Sequence, residues 1–530
     1  MTNTNNHDFD VIIIGAGHNG LCAGATLARK GKKILVLERS KVLGGMARTE
    51  ELIPGVRISR IAHLIYNLNE QVAKELEIGA GQGSFQLKKI PTVSLALNKK
   101  HVIIENGVPS FSNGEKHPDS ESYALLYQKL SRYGKLLSKL ATISPPMANG
   151  ASFNLNSLKE LFKLAKLGIN LKFLGTKDLR EFLRIIFSNS YDVILDEIQD
   201  GPLAGALAAD AVRGSWSGPR SPGSLFSLIY RLSNGQDAAI PVNGMGSLAE
   251  TLINLVEHKN MEVRTGIEIH RVLIVNDAVA GVILRDGTTI TARSVLSCIG
   301  VKKSMLLAGV NHFDIETVKR VNNIRSRGST AKVNLVLKEP FKIDGLTDKQ
   351  AAGRLLVAPS VEAVEAAFNS LKYGNVSPNP IIEVVIPSFT DKTLCSNGNH
   401  VLSAIMQFVP YDLRAGWGKE ERDKLSQLLI DTMEKYIPGL KSLVIHTDVL
   451  SPHDIEQITG APGGHWHHQE ISFDQLLTTR PAVGISKYSF GIKGYYLCGS
   501  SAHPGGDVMG AAGRNSALQL IADGVFNDKQ

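Results

Sequence analysis

A chain of 530 residues is longer than one small core can organise, and a prior of roughly 100–200 residues per domain gives it two or more. Apolar residues make up 43% and charged residues 20%, and the net charge of +8 comes without a dense basic block interleaved with aromatics, so no nucleic-acid partner is expected. The four cysteines, Cys22, Cys298, Cys395 and Cys498, form no C-x-x-C pair, which excludes a zinc knuckle and a redox-active disulfide of that type.

The polar start of the chain has no signal-peptide pattern, and no run of ~18 apolar residues occurs, so the expected setting is cytoplasmic. Phe9–Ile14 is a short apolar run ending in glycine, the pattern of a central buried strand. Residues 19–29 have helical composition and 33–37 form a second buried strand, completing a β-α-β opening. Between 118 and 212 the pattern turns helical. Leu158, Leu161, Phe162 and Ala165 share one face with Lys159, Lys163 and Lys166 turned away, and Leu179, Phe182, Leu183, Ile186 and Phe187 repeat the spacing. This basic region is either an ordinary solvated surface or one that touches a membrane or admits a lipophilic substrate. Strands return at 263–271, 278–285 and 288–292, the last two joined by an Asp286-Gly287 turn. Residues 330–480 mix strands and helices without a clear motif before Gly463-Gly464. Residues 495–498 then lead through a glycine-rich loop to a closing helix near 510–523.

Gly15-Ala16-Gly17-His18-Asn19-Gly20 matches G-x-G-x-x-G between the first strand and its helix. The first glycine makes the turn, the second lets backbone approach a pyrophosphate, and the third brings helix onto sheet. The helix start adds N–H donors and a partial positive charge. Glu38 ends the second strand, 18 residues past Gly20, where a carboxylate can bind ribose hydroxyls. A second glycine pair, Gly44-Gly45, follows at once with Met46 and Arg48, and offers another backbone approach and a cation to the diphosphate.

The segment Glu38-Arg39-Ser40-Lys41-Val42-Leu43-Gly44-Gly45-Met46-Ala47-Arg48-Thr49 resembles the glutathione-reductase-like flavoproteins that include amine oxidases and phytoene desaturases. The block from Gly499 to Gly513, with Gly463-Gly464-His465 and the stretch 241–248, looks like the phytoene-desaturase branch. That resemblance implies an α/β architecture: a discontinuous Rossmann-like, glutathione-reductase-type FAD-binding domain at 1–90, 236–325 and 482–530. A substrate domain of α+β type would take 91–235 and 326–481, with a helical subdomain at 118–212. It implies FAD held by Gly15, Gly17, Asn19, Gly20, Glu38, Arg39, Gly44, Gly45, Met46, Arg48 and Ala62. Ile269 would lie on the adenine and Gly300 near the dinucleotide, with Gly499, Ser500, Asp507, Val508 and Met509 around the flavin. Glycine is the expected residue where Asp507 stands; the carboxylate either caps the closing helix or faces the flavin edge.

The expected chemistry is oxidoreduction, with hydride taken from, or isomerisation of, an apolar isoprenoid or polyene substrate, and with oxygen or a quinone as electron acceptor. Flavin amine oxidation and a non-catalytic binding protein on the same fold remain the alternatives. His63, where the family's chain passes the flavin, and His503, inside the glycine-rich loop, are the candidate catalytic residues, each against a purely structural role. His465, His467 and His468 lack acid or cysteine partners at ligand spacing, so no metal is expected. Peripheral membrane contact and homo-oligomerisation stay open.

Overall fold

In the computed structural model, which describes residues 7–80, 85–145, 175–233, 237–256 and 260–527, the first strand Phe9–Ile14 lies inside a parallel sheet. It pairs with Ile34–Glu38 on one side and Thr289–Ser297 on the other. An apolar run of this kind needs cover on both faces, and every residue except Asp10 is buried. Met261–Thr265 and Tyr495–Leu497 extend the parallel sheet at its two sides. The first residues of Thr289–Ser297 also carry an antiparallel meander with Ala278–Leu284 and Ile269–Val275. Asp286 accepts the Thr288 N–H at 2.9 Å and Gly287 takes φ 89°, which closes the expected turn.

The single strand expected at 263–271 is instead two strands. Gly266, at φ 71°, turns the chain across the end of Ile34–Glu38, where the Gly266 and Ile267 N–H groups donate to the Ser40 and Glu38 carbonyls. That turn carries residues 267–269 into the cleft described below.

Helix His18–Ala28 packs between this sheet and the closing helix Ala511–Ala522. The approach is close enough that a Cβ on Gly20 would lie 2.3 Å from the Gly15 carbonyl oxygen, and one on Gly513 would lie 1.9 Å from that of Asn19.

A second, eight-stranded sheet runs in the order Val444–Leu450, Thr330–Leu337, His400–Gln407, Ile382–Val385, Arg354–Val357, Thr92–Ser94, Val102–Glu105 and Val108–Phe111. Thr330–Leu337 is buried at every residue, yet its side chains alternate in chemistry. Ala331, Val333, Leu335 and Leu337 join Ile382, Val384, Leu402, Ala404 and Met406 in an apolar core with Leu425, Leu429 and Met433 of helix Lys419–Glu434. The two-residue period puts Lys332, Asn334, Arg354, Glu383 and Ser403 on the opposite face. One face of the sheet is thus a hydrocarbon layer, and the other carries a buried polar floor beside apolar residues such as Val336, Val385 and Val401.

Helices Ser120–Ala141, Gly175–Phe187, Ser190–Leu195 and Pro202–Ala211 occupy the expected helical region, while the 158–166 stripe lies outside the described residues. Among the described residues, no helix is long and apolar enough to cross a membrane. The α/β class expected from the sequence, with a Rossmann-like unit, is the class observed.

Candidate active site

A cleft of about 330 Å³ opens at the C-terminal ends of the parallel strands, the position where open α/β sheets bind ligands. Gly15, Gly17, Asn19, Glu38, Arg39, Gly45, Met46, Arg48, Ile269 and Ser500 line it, so one groove gathers these residues from four separated segments. Gly44 reaches its place by donating its N–H to the Ala16 carbonyl at 2.9 Å, and a Cβ on Gly45 would lie 3.1 Å from the Gly17 Cα. The two glycine motifs therefore pack on each other, which neither motif could do with side chains present. The Glu38 carboxylate accepts the Ala16 and Ser40 N–H groups, each at 2.8 Å, and still borders the cleft. Arg48 is fixed by the Gly45 carbonyl at 2.6 Å and by Glu50 at 3.0 Å. Arg39 lines the groove, but its guanidinium donates to the Gln457 and Ile458 carbonyls near the end of helix Pro452–Thr459.

These residues fit a dinucleotide. His18 Nε2, Asn19 Oδ1 and His468 Nδ1 belong to cleft-lining residues and are buried without a protein partner. Buried polar atoms of that kind call for a bound group. At Gly17, an added Cβ would meet only Cys298 Sγ at 3.8 Å. The helix start is open there.

The groove continues inward through His18, Met46 and Trp466 to a chamber of about 60 Å³. Ile61, Ala62, Leu64, Ile405 and Val508 give it apolar walls, and His63, Arg213 and Asp507 give it polar ones. Behind His63 stands the polar floor of the second sheet. His63 Nε2 lies 2.9 Å from Glu383, and its Nδ1 lies 2.7 Å from Lys332 Nζ. A carboxylate can only accept, so Nε2 carries the proton and Nδ1 receives the lysine's hydrogen bond. Glu383 also accepts from Arg213, Arg354 and Tyr66, while Asp210 pairs with Arg231 and Arg354. Burial and the nearby Lys332 charge lower the His63 pKa to about 3, and burial holds Lys332 well below the ordinary lysine range.

The structure moves several expected residues away from the site. His503 does not border the cleft or the chamber; its Nε2 lies 3.0 Å from the Leu140 carbonyl, so the ring braces helix Ser120–Ala141. His63 does line the chamber, and both its nitrogens are engaged by the protein, Nε2 with Glu383 and Nδ1 with Lys332. Gly300 lies under Pro462, which an added Cβ would meet at 2.4 Å, and its neighbour Ile299 faces the cleft instead. Gly20 and Gly499 are packing positions, the latter against the Cys298 carbonyl. Met509 is buried, and its carbonyl accepts the Asn69 N–H. Asp507 does not cap the closing helix, which begins at Ala511 behind Gly510. Lys332, Glu383, Arg213 and Arg354 were not singled out in the sequence; the signal for Lys332, Arg354 and Glu383 was a polar residue inside an otherwise apolar strand, and Arg213, in the turn after helix Pro202–Ala211, carried none. Among the described residues, no group of three or more His, Cys, Asp or Glu side chains could hold a metal ion.

Burial lowers six imidazoles strongly: His63 and His468 to about 3, His18, His465 and His503 to about 4, and His467 well below the ordinary histidine range. In the unfolded chain each takes its proton near pH ~6.5. The stabilisation they lend by staying neutral is therefore whole above that value and is lost as pH falls toward their folded pKa values. Each adds up to about 1.4 kcal/mol per pH unit to the slope. The urea midpoint is expected to drop steeply between about pH 6.5 and about pH 4.5. A flat midpoint across that window would show that these rings are not buried in neutral form.

Known proteins resemble this chain in sequence and fold. A model of the NAD(P)-binding Rossmann-like domain matches residues 13–76. Mouse pyridine nucleotide-disulfide oxidoreductase domain-containing protein 2 is 30% identical over 97% of this chain and 94% of its own. A limonene dehydrogenase component of Castellaniella defragrans is 24% identical over 98% of this chain and 95% of its own. Cyclohexylamine oxidase from Brevibacterium oxydans has the same fold, with a TM-score of 0.59 at 13% identity over 99% of this chain and 100% of that one. With the Rossmann cleft, the paired glycine motifs and a full-length relative at this identity, the chain belongs to the family of pyridine nucleotide-disulfide oxidoreductase domain-containing protein 2, within the FAD-dependent oxidoreductase superfamily.

Proposed function

We propose that the chain binds FAD and oxidises, or isomerises, a largely apolar substrate of isoprenoid or polyene type, with oxygen or a quinone as the final electron acceptor. The observation that carries this reading is the continuity of cleft and chamber through His18, Met46 and Trp466. Glu38 and Ile269 would hold the adenosine end, Gly15, Gly17, Gly45 and the start of helix His18–Ala28 the diphosphate, and Ala62 and Val508 the ring system. When bound, the cofactor supplies the two-electron acceptor. The chain supplies the rest. Ile61, Leu64 and Ile405 keep water from the chamber, and Glu383 and Lys332 hold His63 in one tautomer. The likeness to a dehydrogenase of limonene, an unsaturated hydrocarbon, supports the apolar substrate.

Disulfide exchange finds no residues here. Cys22, Cys298 and Cys498 are buried and Cys395 is half-buried; burial pushes the Cys22 thiol up to about 12 and the Cys395 thiol up to about 11, so neither of these two supplies a thiolate. Purified protein is expected to be yellow, releasing a chromophore that absorbs near ~450 nm. Anaerobic addition of isoprenoid alkenes, amines or NAD(P)H then identifies the reductant by which one bleaches the band. A colourless protein that cannot be reconstituted with FAD overturns the reading.

A further inference from the structure

Asp507 borders two spaces at once: the inner chamber and, with Arg213, a second chamber of about 30 Å³ lined by Tyr230, Arg231, His465 and His467. Its Oδ2 accepts the Asn67 side-chain N–H at 2.8 Å, and among the described residues nothing donates to Oδ1. The residue sits at φ 83° and the next one, Val508, at φ 52°. Two successive non-glycine residues in the left-handed region are each strained, and glycine would remove the strain at either. The carboxylate therefore stands in a backbone position that disfavours it.

The surrounding charges are arranged for a carboxylate. Three guanidinium groups, Arg213, Arg231 and Arg354, share two carboxylates, Glu383 and Asp210. Asp507 stands beside that cluster: burial raises its pKa above the ordinary aspartate value, while Arg213, the Asn67 hydrogen bond and Arg231 oppose the rise. The neighbouring rings of His63, His465 and His467 are held in neutral form by burial, as their lowered pKa values show. The walls of the inner chamber are otherwise largely apolar.

We propose that Asp507 is the substrate-anchoring residue of this chain: its free Oδ1 accepts a hydrogen bond from a hydroxyl or amine head on an otherwise apolar substrate. The inference deepens the oxidoreductase reading and rests on it for the reaction that follows binding. A carboxylate head would meet like charge, and a bare hydrocarbon would leave a desolvated carboxylate unpaired. The substrate is thus amphipathic, with its donor end between the two chambers.

Octan-1-ol, octylamine, octanoate and oct-1-ene, titrated into the purified protein, test this directly. Binding is read from the flavin absorption band and, independently, from tryptophan fluorescence in a Trp216→Phe, Trp417→Phe background that leaves Trp466, which lines the inner chamber. The alcohol and amine are expected to bind about tenfold or more tighter than the acid and the alkene, as one hydrogen bond to a charged group provides. Asp507→Gly relaxes the backbone and is expected to keep its flavin while losing that preference, with oct-1-ene bound more tightly because no desolvated carboxylate is left unpaired. Asp507→Asn is expected to keep the alcohol and lose the protonated amine. Equal affinities, no binding of any probe, tightest binding of octanoate, or an unchanged preference in Asp507→Gly overturns the anchor. If the protein holds no flavin, the cofactor reading fails, while the fluorescence titration still decides the anchor.

Discussion

Gly17→Asp yields a folded protein that no longer retains its dinucleotide. Gly17 has φ −68° and ψ 162°, a conformation open to any residue, and it occupies the N-cap position of helix His18–Ala28. Aspartate is among the preferred residues there, so the helix keeps or gains a capping bond. A Cβ at Gly17 meets only Cys298 Sγ at 3.8 Å, which means that the side chain grows into the cleft rather than into packed protein. It would bring a negative charge to the helix start, the place that favours a diphosphate. Losing even two charge-assisted contacts of about 1.5–3 kcal/mol each lowers affinity by ~100-fold or more. The assay is flavin released per polypeptide after purification, read beside the Tm of the cofactor-free protein. Full occupancy in Gly17→Asp would remove the diphosphate from this site. Gly20 makes the contrast: its Cβ would lie 2.3 Å from the Gly15 carbonyl oxygen, so a side chain there challenges the fold before it reaches any ligand.

That contrast also explains what the sequence could disclose. The β-α-β opening was legible because a strand covered on both faces must be a continuous apolar run, and because close backbone approach admits only glycine. Gly15, Gly17, Gly45 and Glu38 were found for these reasons. The polar floor was not found. Lys332, Glu383, Arg354 and Ser403 come from four strands, and each looks like a lone interruption of an apolar segment. They gain meaning only when the sheet aligns them and when His63, 320 residues from Glu383, reaches over them. The alternation in Thr330–Leu337 was the available clue, with Lys332 and Asn334 set between apolar neighbours at period two. His503 failed for the opposite reason. Its place in a glycine-rich loop suggested proximity to a ligand, but the buried side chain reaches the Leu140 carbonyl. Motif position locates a backbone, whereas side-chain direction depends on packing that the motif does not encode. Asp507 shows the same limit: the departure from glycine was visible, yet the helix it was expected to cap starts four residues later.

Glu383→Gln is expected to be the most destabilising conservative change in the eight-stranded sheet. Glu383 is 1% exposed and accepts hydrogen bonds from Arg213, Arg354, Tyr66 and His63. Glutamine offers one acceptor oxygen where the carboxylate offers two, and turns an N–H₂ toward groups that are already donors. Arg354 keeps Asp210 as its partner, but Arg213 is left with no bonded carboxylate in a buried site. Breaking a buried pair by removing one charge costs about 3–5 kcal/mol, a large share of the ~5–15 kcal/mol that a domain usually has. The urea midpoint should fall with little change in m, since the surface exposed on unfolding is nearly the same. Arg213→Met on the Glu383→Gln background should restore part of the loss by removing the orphaned charge, because the two residues are in contact and their effects do not add. A loss below about 1 kcal/mol in Glu383→Gln would mean that water or rearrangement already compensates these charges. If the double variant is as unstable as the sum of the two single ones, Arg213 is not the group that Glu383 neutralises.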